Sequence, residues 1–271
     1  MEPWLAALII LGVAALSAAG MLLVRRRAPA GTFFEDPLPG GAVYTVAGTA
    51  YMVIVAFVFF IAFESYGGAK TDAEEEATAT LAMFHAAAPF GPAARAQLED
   101  QTICYAREVI SDGWPAMRRG GGSSVVDARV SAMEKSADQI PVNDTKQAAA
   151  FEHWLALNEE RRQGRQGRIG EAAGLVPPVV WLILIIGAVV VIASVALFAD
   201  RQELAVTQAA MAAGIATIVV SGLVLVRFLD KPYEDKSGSI KPTAMERSLV
   251  LMEKEHRERD GAVIRCGDLA G

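Results

Sequence analysis

Four long runs of uncharged, mostly apolar residues dominate this chain. They cover residues 4–24, 43–63, 175–199 and 204–226, and each is 21 to 25 residues long. At about 1.5 Å per residue, a helix of this size spans a hydrocarbon core of about 30 Å. Because a backbone inside lipid must satisfy its own hydrogen bonds, each run is predicted to be a transmembrane α-helix. Four core helices of a soluble protein are disfavoured, since such helices are amphipathic.

The composition supports a membrane protein and excludes several other classes. The mean hydropathy is +0.32 and charged residues make up 21% of the chain, which rules out overall disorder. The net charge of -6 argues against a nucleic-acid partner, because phosphate binding needs clustered excess Lys and Arg. The first run is predicted to be a retained anchor rather than a signal peptide, since Glu2 precedes it and Arg25, Arg26 and Arg27 follow it.

A large polar insert separates the second and third runs. Residues 64–176 contain 17 acidic and 12 basic residues, and their Ala- and Glu-rich pattern predicts helices without a sheet. One of these helices is predicted to begin near Arg95 and to end at Gly113, before the Trp114-Pro115 pair.

The predicted fold class is therefore an all-α integral membrane protein with four transmembrane helices and a helical insert. Its predicted parts are a transmembrane hairpin in residues 1–63, the insert in 64–176, a second transmembrane hairpin in 175–226 and a C-terminal tail in 227–271. The tail is predicted to contain a helix at about 243–260, because Thr243 and Glu246 fit a capping box.

Basic residues near the ends of the runs predict the orientation of a multi-pass protein of the cell membrane. Arg25 to Arg27 draw the first loop toward the cytoplasm, whereas nine bases near the span ends draw the insert and tail there. The two groups lie on opposite sides, and the prediction is a cytoplasmic insert and tail. On that side Cys104 and Cys266 would be free thiols.

Catalytic and metal-binding patterns are missing from the sequence. His85, His153 and His256 are isolated, no phosphate-binding loop is present, and no cofactor or metal site is predicted. The acidic residues at 72 and 74–76 could attract a divalent cation, but they are interpreted as a solvated charge run in the first turn of a helix. An enzyme is not expected. A proton-coupled transporter is disfavoured, because the spans contain no Asp, Glu, Lys, Arg or His.

Several short motifs together resemble the bestrophin-like domain family of mostly bacterial membrane proteins. The resemblance extends from the first span to about Pro242, and the residues that carry it are Tyr51, Ala56-Phe57, Glu64, Glu76-Ala77, Leu81, Tyr105, Trp114, Arg161-Arg162, Arg165, Pro178, Trp181, Leu229-Asp230, Pro232-Tyr233 and Pro242. The sequence departs from the family pattern at Gly113, where an acid is common, and at Glu234-Asp235, where a glycine is usual. The family name implies kinship with pentameric anion channels.

The second span supplies the candidates for a pore. Phe57, Phe60 and Glu64 share one helical face at spacings of three and four, and stacked aromatic rings from several subunits could form a constriction that gates by dewetting. The resemblance adds Tyr51 to these candidates, and Val55 is expected to face lipid. The alternative is that the rings face lipid or neighbouring helices.

The arginines before the third span are the candidates for contact with lipid or anions. Arg161, Arg162 and Arg165, together with Arg168, could bind lipid phosphates or line an anion vestibule, but a plain topology signal explains them equally well.

Three functions follow from these observations. The first is an oligomeric channel that is lined by the second helix and conducts a small inorganic ion, which the resemblance implies to be an anion. The second is a non-conducting membrane scaffold or sensor whose insert binds a partner. The third is a membrane enzyme, which no motif supports. The lipid bilayer is the one partner that all three share.

Overall fold

The structure is a computed structural model that describes residues 2–27, 33, 37–260, 264 and 266. This part of the chain contains helices and turns but no strand, which confirms the all-α prediction. The helices are α1 (Pro3–Arg27), α2 (Pro37–Ala86), α3 (Pro92–Glu108), α4 (Trp114–Arg118), α5 (Ser124–Asp138), α6 (Thr145–Ala172), α7 (Pro178–Ser194), α8 (Ala205–Asp230) and α9 (Thr243–Asp260).

Four of these helices, α1, α2, α7 and α8, are long and apolar enough to cross a membrane. They correspond to the four runs found in the sequence, although α7 begins only at Pro178 and passes after Ser194 into a 3₁₀ turn at Val195–Phe198. The α2 helix is much longer than its predicted span, at 50 residues. Gly67 and Gly68 weaken a helix without ending it, and the first proline beyond the span is Pro89.

The chain divides into two compact units, the first of which contains Met1–Ser65 and Leu175–Asp230. Here α1 packs on α8, and the Ser17 hydroxyl donates to the Ala212 carbonyl at 3.1 Å. The Asp230 carboxylate accepts hydrogen bonds from the backbone N–H groups of Leu175 and Val176, at 2.9 and 2.8 Å. Asp230 thereby satisfies donors that precede the first turn of α7.

The second unit contains Tyr66–Gly174 and Lys231–Gly271. Within it, the tail packs against the insert through buried contacts. The Ser248 hydroxyl of α9 donates to the Ala77 carbonyl at 3.0 Å, and the Tyr233 hydroxyl donates to the Ala69 carbonyl at 2.9 Å. The Trp114 indole N–H donates to the Ile240 carbonyl at 3.2 Å. Insert and tail therefore share one hydrophobic core.

The end predicted for the Arg95 helix is wrong. The chain continues through a π-helical turn at Val109–Gly113 into α4, where Trp114 and Met117 are buried. The Trp114 backbone N–H donates to the Val109 carbonyl, five residues back. The wider turn lets the helix continue past Pro115, which has no N–H to donate, and burial of the two large side chains favours that continuation.

The expectation of free thiols is also wrong in this structure. Cys104 of α3 and Cys266 form a disulfide, with their Cα atoms 5.4 Å apart. Two arginines hold the same part of the tail: the Arg107 guanidinium donates to the Ile264 carbonyl at 2.8 Å, and that of Arg129 donates to the Cys266 carbonyl at 2.9 Å. The sequence separation of 162 residues hides this proximity, which depends on the packing of the tail against α3 and α5.

Candidate functional site

The transmembrane part of α2 has two opposite faces. Phe57 and Phe60 are 65% and 61% exposed, and Glu64 is exposed on the same side. Tyr51, Val55 and Ala62 are buried on the other side. At about 100° per residue the two faces are centred roughly 180° apart. The phenylalanines and Glu64 therefore form an exposed face, which we call the Phe57 face.

The buried face of α2 packs on α7 and α8 within the first unit. The Tyr51 hydroxyl donates to the Leu184 carbonyl at 3.0 Å. Its ring covers Gly187, where an added Cβ would lie 2.5 Å from two ring atoms. Val55 is 5% exposed and lies beside Gly222, so the expectation that it faces lipid is wrong. Tyr51 is thus on the opposite side of α2 from the Phe57 face.

A second group of functional candidates lies in the interior of the second unit. Glu76 of α2 is fully buried and accepts hydrogen bonds from the Nε and Nη2 atoms of Arg168 on α6. The Tyr105 hydroxyl of α3 donates to the same carboxylate. The Arg168 guanidinium also lies over the Trp114 ring, 4.7 Å from its centroid. A buried carboxylate is compensated here by one cation and one neutral donor.

Arg161, one of the predicted lipid- or anion-facing residues, is fully buried in the same unit. Its guanidinium carbon lies 4.6 Å from the centroid of the Tyr105 ring. Its Nε atom donates to the Asn158 side-chain oxygen at 3.0 Å. Arg161 and Arg168 therefore flank the Tyr105–Glu76 pair, and each lies against an aromatic ring.

The other two arginines of that prediction lie nearer the surface. Arg162 is exposed, with its Nη1 atom 3.5 Å from a carboxylate oxygen of Glu159. Arg165 is half-buried, and its Nη2 atom donates to the Asp127 carboxylate at 2.6 Å. The structure does not bring the four arginines to one surface, because Arg161 and Arg168 are buried.

Burial shifts the ionisation of the phenol in this cluster. The pKa of Tyr105 is raised above its ordinary value of 10.0, first by burial and then by the nearby charge of Glu76. The raised pKa keeps the hydroxyl protonated, so Tyr105 remains a hydrogen-bond donor to Glu76 at neutral and moderately alkaline pH. The pKa of the neighbouring Tyr233 is also raised, mainly by burial.

Sequence reasoning missed the pairing of Glu76 with Arg168. Glu76 was interpreted as part of a solvated charge run, which is wrong for this residue, although Glu74 and Glu75 are exposed. One signal was present: Glu76, Tyr105, Trp114, Arg161 and Tyr233 all occur in the motifs that resemble the bestrophin-like family. Among the residues that the structure describes, no group of three or more His, Cys, Asp or Glu side chains could hold a metal ion.

Comparison with solved structures shows that the chain shares its fold with a crystallised membrane protein. Three crystal structures of a bacterial bestrophin homologue from Klebsiella pneumoniae, each with a single substitution, match with TM-scores of 0.70, 0.69 and 0.68 at 13% identity. The matches cover 89–90% of this chain and 98–99% of the homologue. At this identity the similarity establishes the fold alone.

Comparison of the sequence identifies the family. No curated protein matches the chain. The family model described as Bestrophin-like domain matches residues 11–245, which include most of the first span, the other three spans, the insert and the start of α9. Because the match covers most of the sequence and the fold agrees with it, the chain belongs to the bestrophin-like domain family.

Proposed function

We propose that this protein is a homo-oligomeric channel for small inorganic anions, with the Phe57 face of α2 lining the pore. The observation that supports this most directly is that the Phe57 face lies opposite the face by which α2 packs within its own protomer. A helix with this arrangement can direct Phe57, Phe60 and Glu64 toward a central axis in a ring of protomers without losing its packing. The alternative position for this face is against lipid.

An oligomer belongs to the proposal because the apolar runs of one protomer offer an ion no charged side chain across the membrane. The runs 4–24, 43–63, 175–199 and 204–226 contain no Asp, Glu, Lys, Arg or His. An ion that enters an apolar medium loses its hydration without compensation, which is strongly unfavourable. A path between several α2 helices avoids this cost because water can accompany the ion.

The residues of the Phe57 face then have different roles. Rings of Phe57 and Phe60 narrow the pore and oppose hydrated ions, and Glu64 marks the end of the pore nearest the insert. Tyr51 is not assigned to the pore in this proposal, because its hydroxyl already binds the Leu184 carbonyl. A ring of Glu64 carboxylates would favour cations, so it opposes the anion preference that the family implies.

We place the insert and the tail in the cytoplasm, on the strength of the basic residues near the ends of the spans. These include Arg161, Arg162, Arg165 and Arg168 before α7, and Arg227, Lys231, Lys236 and Lys241 after the apolar run of α8. The proposal includes no catalytic step and no cofactor. In this orientation the disulfide between Cys104 and Cys266 faces a reducing compartment.

Two measurements on the purified protein test the proposal. Light scattering in detergent should give a protein mass that is several times the 28.8 kDa of one chain. Liposomes that contain the protein should then release chloride faster than empty liposomes. A monomeric mass, or release no faster than from empty liposomes, would overturn the channel and favour the non-conducting scaffold or sensor.

A further inference from the structure

A pocket of about 410 Å³ lies within the first unit, between the N-terminal part of α2 and the C-terminal part of α7. We call it the α2–α7 pocket. Its lining includes Val43, Tyr44 and Ala47 from α2, and Val190 and Val191 from α7. Val191 is only 6% exposed, whereas Val43 and Val190 are 70% and 55% exposed. The pocket therefore has a buried floor and an open rim.

The 3₁₀ turn that follows α7 supplies a further wall. Leu197 and Phe198 of this turn belong to the lining, and the Phe198 ring meets the Tyr44 ring edge-on with the centroids 5.5 Å apart. The Ser194 hydroxyl in the wall already donates to the Val190 carbonyl at 2.7 Å. None of the lining residues that the structure describes is charged. The wall therefore favours an apolar occupant.

The pocket lies at membrane depth, toward the side of the bilayer away from the insert. Val43 is the first residue of the second uncharged run, and Phe198 is the second-last residue of the run 175–199. These two run ends share one side of the membrane, because the insert joins the opposite ends of the same runs. Tyr44 therefore lies at the boundary between lipid and water, where tyrosine is enriched. Gly48 lies about 7.5 Å deeper along α2.

Size and chemistry distinguish between the possible occupants of the α2–α7 pocket. Water is disfavoured, because apolar cavities tend to stay dry. A helix of a neighbouring protomer is about 10–12 Å wide with its side chains, so it could place only side chains in the pocket. The volume of about 410 Å³ falls within the range of about 300–1,000 Å³ that is usual for ligand pockets. A hydrocarbon chain needs no hydrogen-bond partner and is abundant in the surrounding bilayer.

We propose that the α2–α7 pocket holds one acyl chain of a membrane phospholipid. The ester end of the chain lies at the level of Tyr44, and the chain runs inward past Ala47 and Gly48 along Val190. Contact with the apolar wall replaces contact with other lipid chains, and the shape of the pocket holds the chain in place. This site is separate from the Phe57 face and does not depend on ion conduction.

Photolabelling in a bilayer tests this site. The full-length protein is reconstituted in phosphatidylcholine vesicles in which a small fraction of the lipid carries a diazirine on one acyl chain, and labelled residues are identified by mass spectrometry. A held chain stays beside the same residues, so Val43, Val190 and Leu197 should be labelled several-fold more than Leu11 and Leu16 of α1, which are 66% and 72% exposed. Equal labelling at the two places would indicate ordinary contact with bulk lipid and would overturn the proposal.

A matched pair of variants locates the effect. Gly48 belongs to the lining and has no atom within 4 Å of its Cβ position, so Gly48→Leu adds volume to the pocket. Labelling of Val43, Val190 and Leu197 should fall several-fold in this variant. Gly12→Leu adds the same side chain at an exposed and equally open position of α1 and should leave the labelling unchanged. Labelling that persists in Gly48→Leu would overturn the assignment to this pocket.

A neighbouring protomer is the competing occupant. In that case the α2–α7 pocket would stay unlabelled in the wild-type protein, and Gly48→Leu would lower the mass measured by light scattering. Either result would overturn the lipid chain. The comparison of labelled residues within the wild-type protein needs no substitution, so it decides the question even if Gly48→Leu does not fold.

Discussion

Glu76 and Arg168 form an ion pair that is inaccessible to solvent, with the two side chains 0% and 1% exposed. The pair joins α2 to α6, and one hydrogen bond, from Nη2 to Oε1, is 2.9 Å long. Removing one partner would leave the other charge buried and alone. Such a change typically lowers the free energy of unfolding by about 3–5 kcal/mol.

Glu76→Gln should therefore be strongly destabilising. The neighbouring change Glu75→Gln serves as the control, because Glu75 is exposed. Chemical denaturation of the detergent-solubilised protein measures the free energy of unfolding of each variant. The double variant Glu76→Gln/Arg168→Met should lose less stability than the sum of the single changes, since it leaves neither charge alone. Equal effects of Glu76→Gln and Glu75→Gln would contradict this role of the pair.

Gly164 marks a close approach of α6 to α2. A Cβ atom at this position would lie 2.8 Å from the Asp72 carbonyl oxygen and 2.8 Å from the Glu76 backbone nitrogen. Because both contacts are with backbone, Gly164→Ala should force the helices apart at a cost of about 1–3 kcal/mol. Gly170, on the same helix, has no atom within 4 Å of its Cβ position.

Gly170→Ala is therefore the control, and it should stabilise the protein by about 0.5–1 kcal/mol through helix propensity. The midpoint of thermal unfolding of Gly164→Ala and of Gly170→Ala, each compared with the wild type, measures the two effects on stability. If Gly164→Ala is as stable as Gly170→Ala, the close approach of α2 and α6 is not a feature of the protein in solution.

The raised pKa of Tyr105 predicts the response of the protein to alkaline pH. Its phenol ionises less readily in the folded protein than in the unfolded chain. The resulting stabilisation is complete below pH about 10, the ordinary pKa of tyrosine, and decreases as the pH rises above it. Tyr105→Phe should therefore show a smaller loss of stability in this alkaline range than the wild-type protein.

Ultraviolet absorption of tyrosinate provides the measurement. The difference between wild type and Tyr105→Phe should be absent near pH 10 and appear only when the protein unfolds. In denaturant, one additional tyrosine of the five in the chain should ionise near pH 10 in the wild type. A Tyr105-dependent signal near pH 10 in the folded protein would show that the phenol is not buried.

The proposed pore predicts that truncation at Phe57 increases ion flux. Removal of the ring widens the constriction and admits more water, so Phe57→Ala should release chloride from liposomes several times faster. Phe63→Ala is the matched control, because Phe63 is 58% exposed but lies about 90° around the helix from the centre of the Phe57 face. Equal fluxes in the two variants would remove the Phe57 face from the pore.

Neutralisation at the end of this face should alter selectivity. Glu64→Gln removes a ring of carboxylates and should increase the permeability to chloride relative to sodium. Reversal potentials across a planar bilayer with a salt gradient measure the ratio. An unchanged ratio would mean that Glu64 does not border the ion path.

The cysteine pair tests the orientation of the insert and tail. The structure joins Cys104 to Cys266, whereas the proposed cytoplasmic position is reducing, so that position requires the pair to be reduced in living cells and to be oxidised only after the cells are opened. Acid quenching of intact cells stops thiol exchange, and the free thiols are then alkylated with N-ethylmaleimide in denaturant near neutral pH and counted by mass spectrometry. Cys104→Ser serves as the control that cannot form the bond. A disulfide present at the moment of quenching would place the insert outside the cytoplasm.

The motifs of the candidate site could be recognised from the sequence more readily than their arrangement. Glu76 and Arg168 are 92 residues apart, and no local pattern pairs this glutamate rather than Glu74 or Glu75 with that arginine. Similarly, the spacing of Phe57 and Phe60 predicts a shared face, but the exposure of that face depends on α7 and α8 packing against its opposite side.

What the sequence by itself determined is the class of structure. Long uncharged runs can satisfy their backbone only as helices in a bilayer, and the Ala- and Glu-rich insert favours helices, so both depend on local physics. Three features were decided only by the tertiary structure. They are the burial of particular polar residues, the π-helical turn that continues the chain past Pro115, and the contact between Cys104 and Cys266. These features depend on burial and on contacts between residues distant in the chain, which no local spacing encodes.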